Sequence, residues 1–167
     1  MLGIAQHCNK ISLYQQRRDE QHVLSYFSLK TDKWITLNDG NANGKEFYIS
    51  KSLKKTFDGA VEFCNYKGGI LYEPRNTNIS EILYKQMETE GIVDFWIGVN
   101  DKANEGNFVY ASDNSSIAWS DWADDQPNSY GGDQDCVAVI NERMGWDDRQ
   151  CNGADVFHFA CVRGGKC

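Results

Sequence analysis

The residues with the most chemistry to offer are oxygen donors, and they crowd into one part of the chain. Residues 94–155 hold thirteen Asp and Glu against three cations, Lys102, Arg143 and Arg149, while residues 1–93 are near balance at eleven against twelve. Carboxylates interleaved with Asn and Gln suit a hard cation such as calcium, which takes about six to eight oxygen ligands at flexible angles. A solvated acidic face is the competing reading. Catalysis is poorly served, because it needs a positioned base or nucleophile. His7, His22 and His158 are dispersed, and no Ser/His/Asp or Cys/His arrangement follows from the order of residues. His158 sits among aromatics in a strand-like run, which suits a core or pocket-edge residue better than a catalyst. The expectation is a binding protein and not an enzyme.

At 167 residues the chain suits one domain plus an extension. Its 41% apolar and 25% charged residues are typical of a globular protein. A net charge of −7 argues against a nucleic-acid partner, whose phosphates call for a basic surface. No run approaches the roughly 18 apolar residues of a membrane span. Met1 to Lys10 has no apolar secretory core, so in a secreted protein the signal peptide is expected to have been removed or replaced. Six cysteines stand at positions 8, 64, 136, 151, 161 and 167, without a CxxC or Cys/His cluster of zinc type. That pattern predicts a disulfide framework and an oxidising, extracellular location. Asn78-Ile79-Ser80 and Asn114-Ser115-Ser116 are glycosylation sequons.

These donors need elements to position them. Trp34–Leu37 and Phe47–Ile49 read as a hairpin across a polar turn. Phe57, Ala60, Val61 and Cys64 share a helical stripe that stops at Gly68-Gly69. A second helix is expected to start with Asn78 as its cap, to carry Ile79, Ile82, Leu83 and Met87 on one side, to end at Gly91, and to pack beside the first. Phe95–Val99 reads as a buried strand, followed by about 35 residues of Asp, Asn, Ser, Gly and Trp with little periodicity. Trp119 and Trp122 argue that this stretch is ordered. The chain closes with a strand Cys136–Ile140, a turn through Gly145-Trp146 and a last strand Val156–Val162. Residues 1–33 show only scattered apolar spacing and receive no fold.

Four features together resemble the C-type lectin domain family. Trp96-Ile97-Gly98-Val99 resembles its core strand, Gln126-Pro127-Asn128 its proline-centred sugar motif, and Trp146-Asp147-Asp148 its tryptophan-asparagine-aspartate motif. Cys64, Cys136, Cys151 and Cys161 follow the order and spacing of its framework cysteines. The resemblance covers roughly residues 34–163 and looks closest to the collectin and mannose-binding branch. It implies an α+β C-type lectin-like fold, two helices packed on small antiparallel sheets with a long calcium-binding loop region, over residues 34–167. It also implies the pairs Cys64–Cys161 and Cys136–Cys151, with Cys8 and Cys167 left to pair with each other or to bridge two chains in a homo-oligomer. Gln126, Asn128, Gln134, Asp147 and Asp148 would form the principal calcium site, and Asp101, Glu105 and Asp135 an auxiliary one. Gln126 and Asn128 would face one way across a cis Pro127 bond. Gln126, Asn128, Tyr130, Gln134 and Asp147 would meet the sugar. Two sugar hydroxyls would complete the metal shell while the ligand side chains hydrogen-bond to them, and Tyr130 would stack on an apolar sugar face.

This chain departs from the family pattern in two places. Gln134 stands where glutamate is usual and Asp147 where asparagine is usual, so acid and amide are exchanged and the second hydroxyl keeps one donor and one acceptor. With the amide oxygens of Gln126 and Asn128 on the metal, both NH2 groups point outward, and the hydroxyl they share meets no carboxylate. The mannose and galactose codes of the family therefore cannot be read from this hybrid motif. Two carboxylates at the principal site where three are usual predict weaker calcium binding, or a preference for an anionic ligand. The expected function is calcium-dependent binding of glycans on microbial or cell surfaces in innate immunity. The alternative is a relative that binds a protein or ice through the same surface without calcium.

Overall fold

The computed structural model describes residues 33–37, 44–75, 77–140, 142 and 145–164. The extension 1–32, Cys8, Arg143 and Cys167 lie outside the described residues. The first strands, β1 (Ile35–Thr36) and β2 (Glu46–Ile49), pair antiparallel as a hairpin, with Ile35 opposite Phe47. Helix α1 (Phe57–Tyr66) begins where the Thr56 side chain accepts a hydrogen bond from the Gly59 N–H at 3.3 Å, satisfying one of the donors a helix start leaves open. It buries Phe57, Ala60 and Cys64, a single stripe at helical spacing.

Strand β3 (Ile70–Leu71) leads to helix α2 (Thr77–Thr89). Asn78 therefore lies inside the first turn and is not the cap. The helix buries Ile79, Ser80, Leu83 and Met87, while Ile82 is only partly buried. At its end Gly91 takes a positive φ of 74° and the Ile92 N–H reaches back to the Met87 carbonyl at 2.9 Å, a glycine-assisted stop. In the first sequon Ser80 is buried and its hydroxyl bonds to the Tyr72 phenol at 2.8 Å, whereas Asn114 of the second sits exposed in a turn at φ 56°.

Strand β4 (Asp94–Asn100) organises the rest. The sheet runs β1-β2-β8-β4-β6-β7, where β6 is Cys136–Ile140, β7 is Gly145–Arg149 and β8 is His158–Arg163; β3 pairs with β8, and β5 (Val109–Tyr110) with β4. The β4–β8 pair is parallel, so the sheet is mixed. Gly145 and Trp146, expected in a turn, instead begin β7, and the last strand starts at His158. Successive side chains of a strand face opposite sides. Phe95, Ile97 and Val99 accordingly join the core cluster of α2, Trp146 and Tyr110, while Trp96 joins Phe57, Ala60, Cys64, Ala138 and Phe159. The two helices thus bury their stripes on opposite sides of β4 and do not share a core face, which corrects the expectation that α2 packs beside α1. Both faces of β4 are apolar because both are covered.

Disulfides Cys64–Cys161 and Cys136–Cys151 form as the family resemblance implied, the first tying α1 to β8 and the second closing the end of β7 onto β6. The His158 ring Nδ1 lies 2.6 Å from the Ser50 carbonyl, which makes it a structural residue of the β2–β8 junction.

At Gly98 the register between β4 and β6 shifts. Its N–H donates to the Tyr72 carbonyl at 2.7 Å and its carbonyl accepts from Ala111 at 2.9 Å, so the backbone here serves the loops. A Cβ at this position would stand 2.8 Å from Glu73 Cγ and 3.0 Å from the Leu71 carbonyl oxygen. Gly98→Ala is expected to destabilise the domain by about 1–3 kcal/mol, the usual effect of overpacking, read as a lower urea midpoint at unchanged slope.

Candidate ligand site

The long segment after β4 has little regular structure, so its order must come from anchors. Trp122 forms a bridge with Trp146, and the rings of Trp119 and Trp122 pack against Trp146 with centroids 5.3 and 5.6 Å away. Trp122 also meets Phe108 at 4.7 Å. Trp146 is fully buried and donates its indole N–H to the Tyr84 hydroxyl at 3.3 Å, linking the loop to α2. The Trp146 N–H and carbonyl pair with Asp121 and Ala123, so the loop docks onto β7 by backbone as well as by rings.

From that docked edge the chain makes a tight excursion through residues 125–132. Asp125, Ser129, Gly131 and Gly132 all have positive φ, and the Gln126–Pro127 bond is cis. Buried Asp148 holds this excursion: one carboxylate oxygen accepts the Asn128 N–H at 3.0 Å and the other the Ser129 N–H at 2.6 Å. Charge-assisted bonds of this kind are stronger than neutral ones.

The Tyr130 N–H then receives two acceptors, Asn128 Oδ1 at 3.0 Å and Gln134 Oε1 at 2.6 Å. Two amide oxygens from residues six apart in sequence are thereby brought to one point. Around it lies an open cavity of about 250 Å³ lined by Gln126, Asn128, Tyr130, Gln134, Asp147 and Arg149. Strand alternation sends Asp147 and Arg149 to the cavity side of β7, where Arg149 Nη2 donates to Asp147 Oδ2 at 3.0 Å. Tyr130 is 82% exposed at the rim. Four of the five residues expected at the principal site thus meet in one cavity, and the fifth, Asp148, stands beside it as the clamp of the loop. Arg149 was not anticipated. Its only signal in the sequence was a cation two residues beyond Asp147, which on a strand means the same face.

The expected auxiliary trio lies close to the same loop. Asp101 is buried; its Oδ2 accepts the Gly106 N–H at 2.7 Å, and its Oδ1 is buried without a hydrogen-bond partner among the described residues. Burial, together with the nearby Glu105 and Asp135 charges, pushes the Asp101 carboxyl up from its ordinary range. The Asp101 N–H also binds the Asp135 carbonyl at 3.0 Å, and Glu105 Oε2 accepts from the Ser129 hydroxyl at 3.1 Å, so the trio borders the excursion. A buried carboxylate with an orphaned oxygen among like charges is costly, and a cation would relieve it. Among the described residues no three His, Cys, Asp or Glu side chains group so as to hold a metal by themselves. A cation at the principal position would therefore rely on amide oxygens, which suit calcium.

Lys102 pairs with Asp58, which also receives the Asn152 amide; these contacts draw the Asp58 carboxyl below its ordinary value against the opposing effect of burial. Arg149 is therefore the cation that lines the cavity. Replacing the clamp, Asp148→Ala, removes two bonds to a charged group. An expected loss of about 2–4 kcal/mol would appear in urea unfolding with chelator present, together with faster amide exchange at Asn128 and Ser129.

Comparisons with known proteins bear directly on this arrangement. The family model described as "Lectin C-type domain" matches residues 53–163. Collectin-10 of Gallus gallus is 30% identical over 124 residues, covering 74% of this chain and 44% of the relative, so the chain spans less than half of that protein's length. The human scavenger receptor C-type lectin carbohydrate-recognition domain superposes with a TM-score of 0.66 at 26% identity, covering 81% of this chain and 99% of that one. The herring type II antifreeze protein has the same fold, with a TM-score of 0.66 at 20% identity over 82% of this chain and 100% of the other. With the family model matching residues 53–163 and both framework disulfides formed, the chain belongs to the C-type lectin domain family, a family of binding modules and not of enzymes.

Proposed function

We propose that the cavity between the 125–132 excursion and β7 binds glycans in a calcium-dependent way, outside the cell. The observation that carries this reading is the meeting of the Asn128 and Gln134 amide oxygens at the Tyr130 N–H, in a cavity shared with Gln126 and Asp147. Gln126, Asn128, Gln134, Asp147 and Asp148 are the proposed holders of a calcium ion, which when bound would offer open coordination positions to two adjacent sugar hydroxyls. Asp101, Glu105 and Asp135 are proposed to contribute to a second ion's shell, which would need further oxygen donors because, among the described residues, the three carboxylates do not group into a site by themselves; the orphaned Asp101 oxygen supports this reading.

The lining residues set the hydrogen-bonding pattern that a sugar would meet. A carboxamide whose oxygen faces a cation turns its NH2 away, so Gln126 and Gln134 would present donors to sugar oxygens, while the Asn128 NH2 is already given to the Asp125 carbonyl at 3.3 Å. Asp147 is the one acid lining the cavity and accepts a hydroxyl proton there. Tyr130, exposed beside the site, offers a face for the apolar side of a sugar ring. The two disulfides support an oxidising location. Among the described residues no helix is long and apolar enough to cross a membrane. Recognition of microbial or host surface glycans, with sites clustered for avidity, follows as a proposal from the likeness to collectins.

One observation favours a second reading, a protein or other non-sugar ligand taken without calcium. Asp147, half of the proposed carboxylate supply, is already paired with Arg149. Retention on a mannose or galactose column that is released by chelator is the expected result; retention unaffected by chelator, or none at all, would favour the second reading. Calorimetric titration should give a calcium dissociation constant in the weak range of extracellular modules, about 10⁻⁴–10⁻³ M, and a submicromolar value would contradict the donor set described. Asn128→Ala should remove column retention and lower urea stability by about 1–2 kcal/mol, because the side-chain bonds to the Tyr130 N–H and the Asp125 carbonyl are lost while the Asp148 hold on the backbone N–H is retained.

A further inference from the structure

We infer that the cavity prefers an anionic saccharide, one bearing a carboxylate or sulfate beside the hydroxyls it presents, and that Arg149 takes the anion. The inference rests on the lectin reading above and names its ligand class.

The lining contains one acid and one cation, Asp147 and Arg149; the other lining side chains are three amides and a phenol. A divalent ion held beside Asp147 and Asp148 would balance those two carboxylates, leaving the Arg149 charge in excess. A guanidinium has five N–H donors in a planar fork. In Arg149 one nitrogen, Nη2, meets Asp147, and Nε is buried beyond a ligand's reach without a hydrogen-bond partner among the described residues, which leaves the Nη1 and Nη2 end of the fork to meet an anion. The side chain is only 26% exposed, so the charge is largely withdrawn from water yet incompletely paired by protein. Carboxylates and sulfates match that fork in pairs of parallel bonds, as a neutral hydroxyl cannot.

Of the acids around the cavity, Asp58 is paired with Lys102, Asp133 keeps its charge while receiving the Gln150 amide at 2.7 Å, and Glu105 and Asp135 border the excursion as charges that a second bound cation would offset. The remaining net negative charge of the chain acts over distances that physiological salt screens beyond about 8 Å. Asp147 competes for the guanidinium, but it meets a single nitrogen and lies where a bound cation would draw it away.

Matched sugar pairs test the inference: glucose against glucuronic acid, and N-acetylglucosamine against its 6-sulfate, titrated calorimetrically into the wild-type protein with calcium. The acidic member of at least one pair should bind about tenfold tighter, with the advantage shrinking as sodium chloride is raised, and the pair that responds tells carboxylate from sulfate. Arg149→Gln should bring the acid-to-neutral ratio close to one, and Arg149→Lys should retain part of it. The Arg149 Nε–H resonance of labelled wild-type protein should shift on adding the acidic sugar, which needs no variant to fold. Equal affinity within both pairs, or a ratio unchanged in Arg149→Gln, overturns the inference and leaves the lectin reading standing. Failure of all four sugars to bind, with or without calcium, overturns both.

Discussion

The contact on which the site depends is the pair of hydrogen bonds from the Asn128 and Ser129 backbone to the Asp148 carboxylate. A segment without regular structure cannot satisfy its own backbone, and its N–H groups must find acceptors elsewhere. Asp148 supplies two of them from a strand that is fixed on both sides, to β6 by the ladder and to the core by Trp146. Everything the cavity requires follows from that fixture. Once Asn128 and Ser129 are held, the next N–H, that of Tyr130, falls where the Asn128 and Gln134 amide oxygens both reach it.

Strand β7 shows how a five-residue element serves core and site together. Trp146 points into the cluster shared with α2, Asp147 and Arg149 face the cavity, and Asp148 faces the loop. Those roles alternate because strand side chains alternate. Slipping the β6–β7 register by one residue would exchange the tryptophan with a carboxylate and lose core and site at once. The Cys136–Cys151 disulfide closes the end of this pair and helps to hold the register.

Much of this was legible in the sequence, for physical reasons. The hairpin at Ile35–Ile49, the stripe of α1 and the buried run Phe95–Val99 carry periodicities that are strong on their own. The meeting of Gln126, Asn128, Gln134 and Asp147 was legible only through the family motifs, because contacts between residues 126 and 147 leave no local signal. What could not be read depended on tertiary context. Asn78 resembles a cap, yet α2 begins before it, and boundaries of this kind are set by packing. Gly145-Trp146 resembles a turn, but a glycine suits a strand where another backbone comes close; here a Cβ would stand 2.6 Å from the Ala123 nitrogen. The placement of the helices on opposite sides of β4 was hidden for a related reason: a strand apolar at every position does not reveal which residue faces which helix.

Arg149 changes the electrostatic meaning of the acid–amide exchange at Gln134 and Asp147. Taken alone, that exchange moves a negative charge from one side of the site to the other and leaves the total unaltered. A guanidinium 3.0 Å from the relocated carboxylate makes the move consequential, because the acid now sits where a protein cation can engage it. Asp147 is 2% exposed, so the pair is shielded from water and its strength is correspondingly greater than that of a surface bridge. On the proposed reading, a metal ion in the cavity would compete with that cation for the carboxylate and so release guanidinium donors. Calcium occupancy and an anionic preference would then be coupled through one side chain, the arginine two residues after Asp147 on β7.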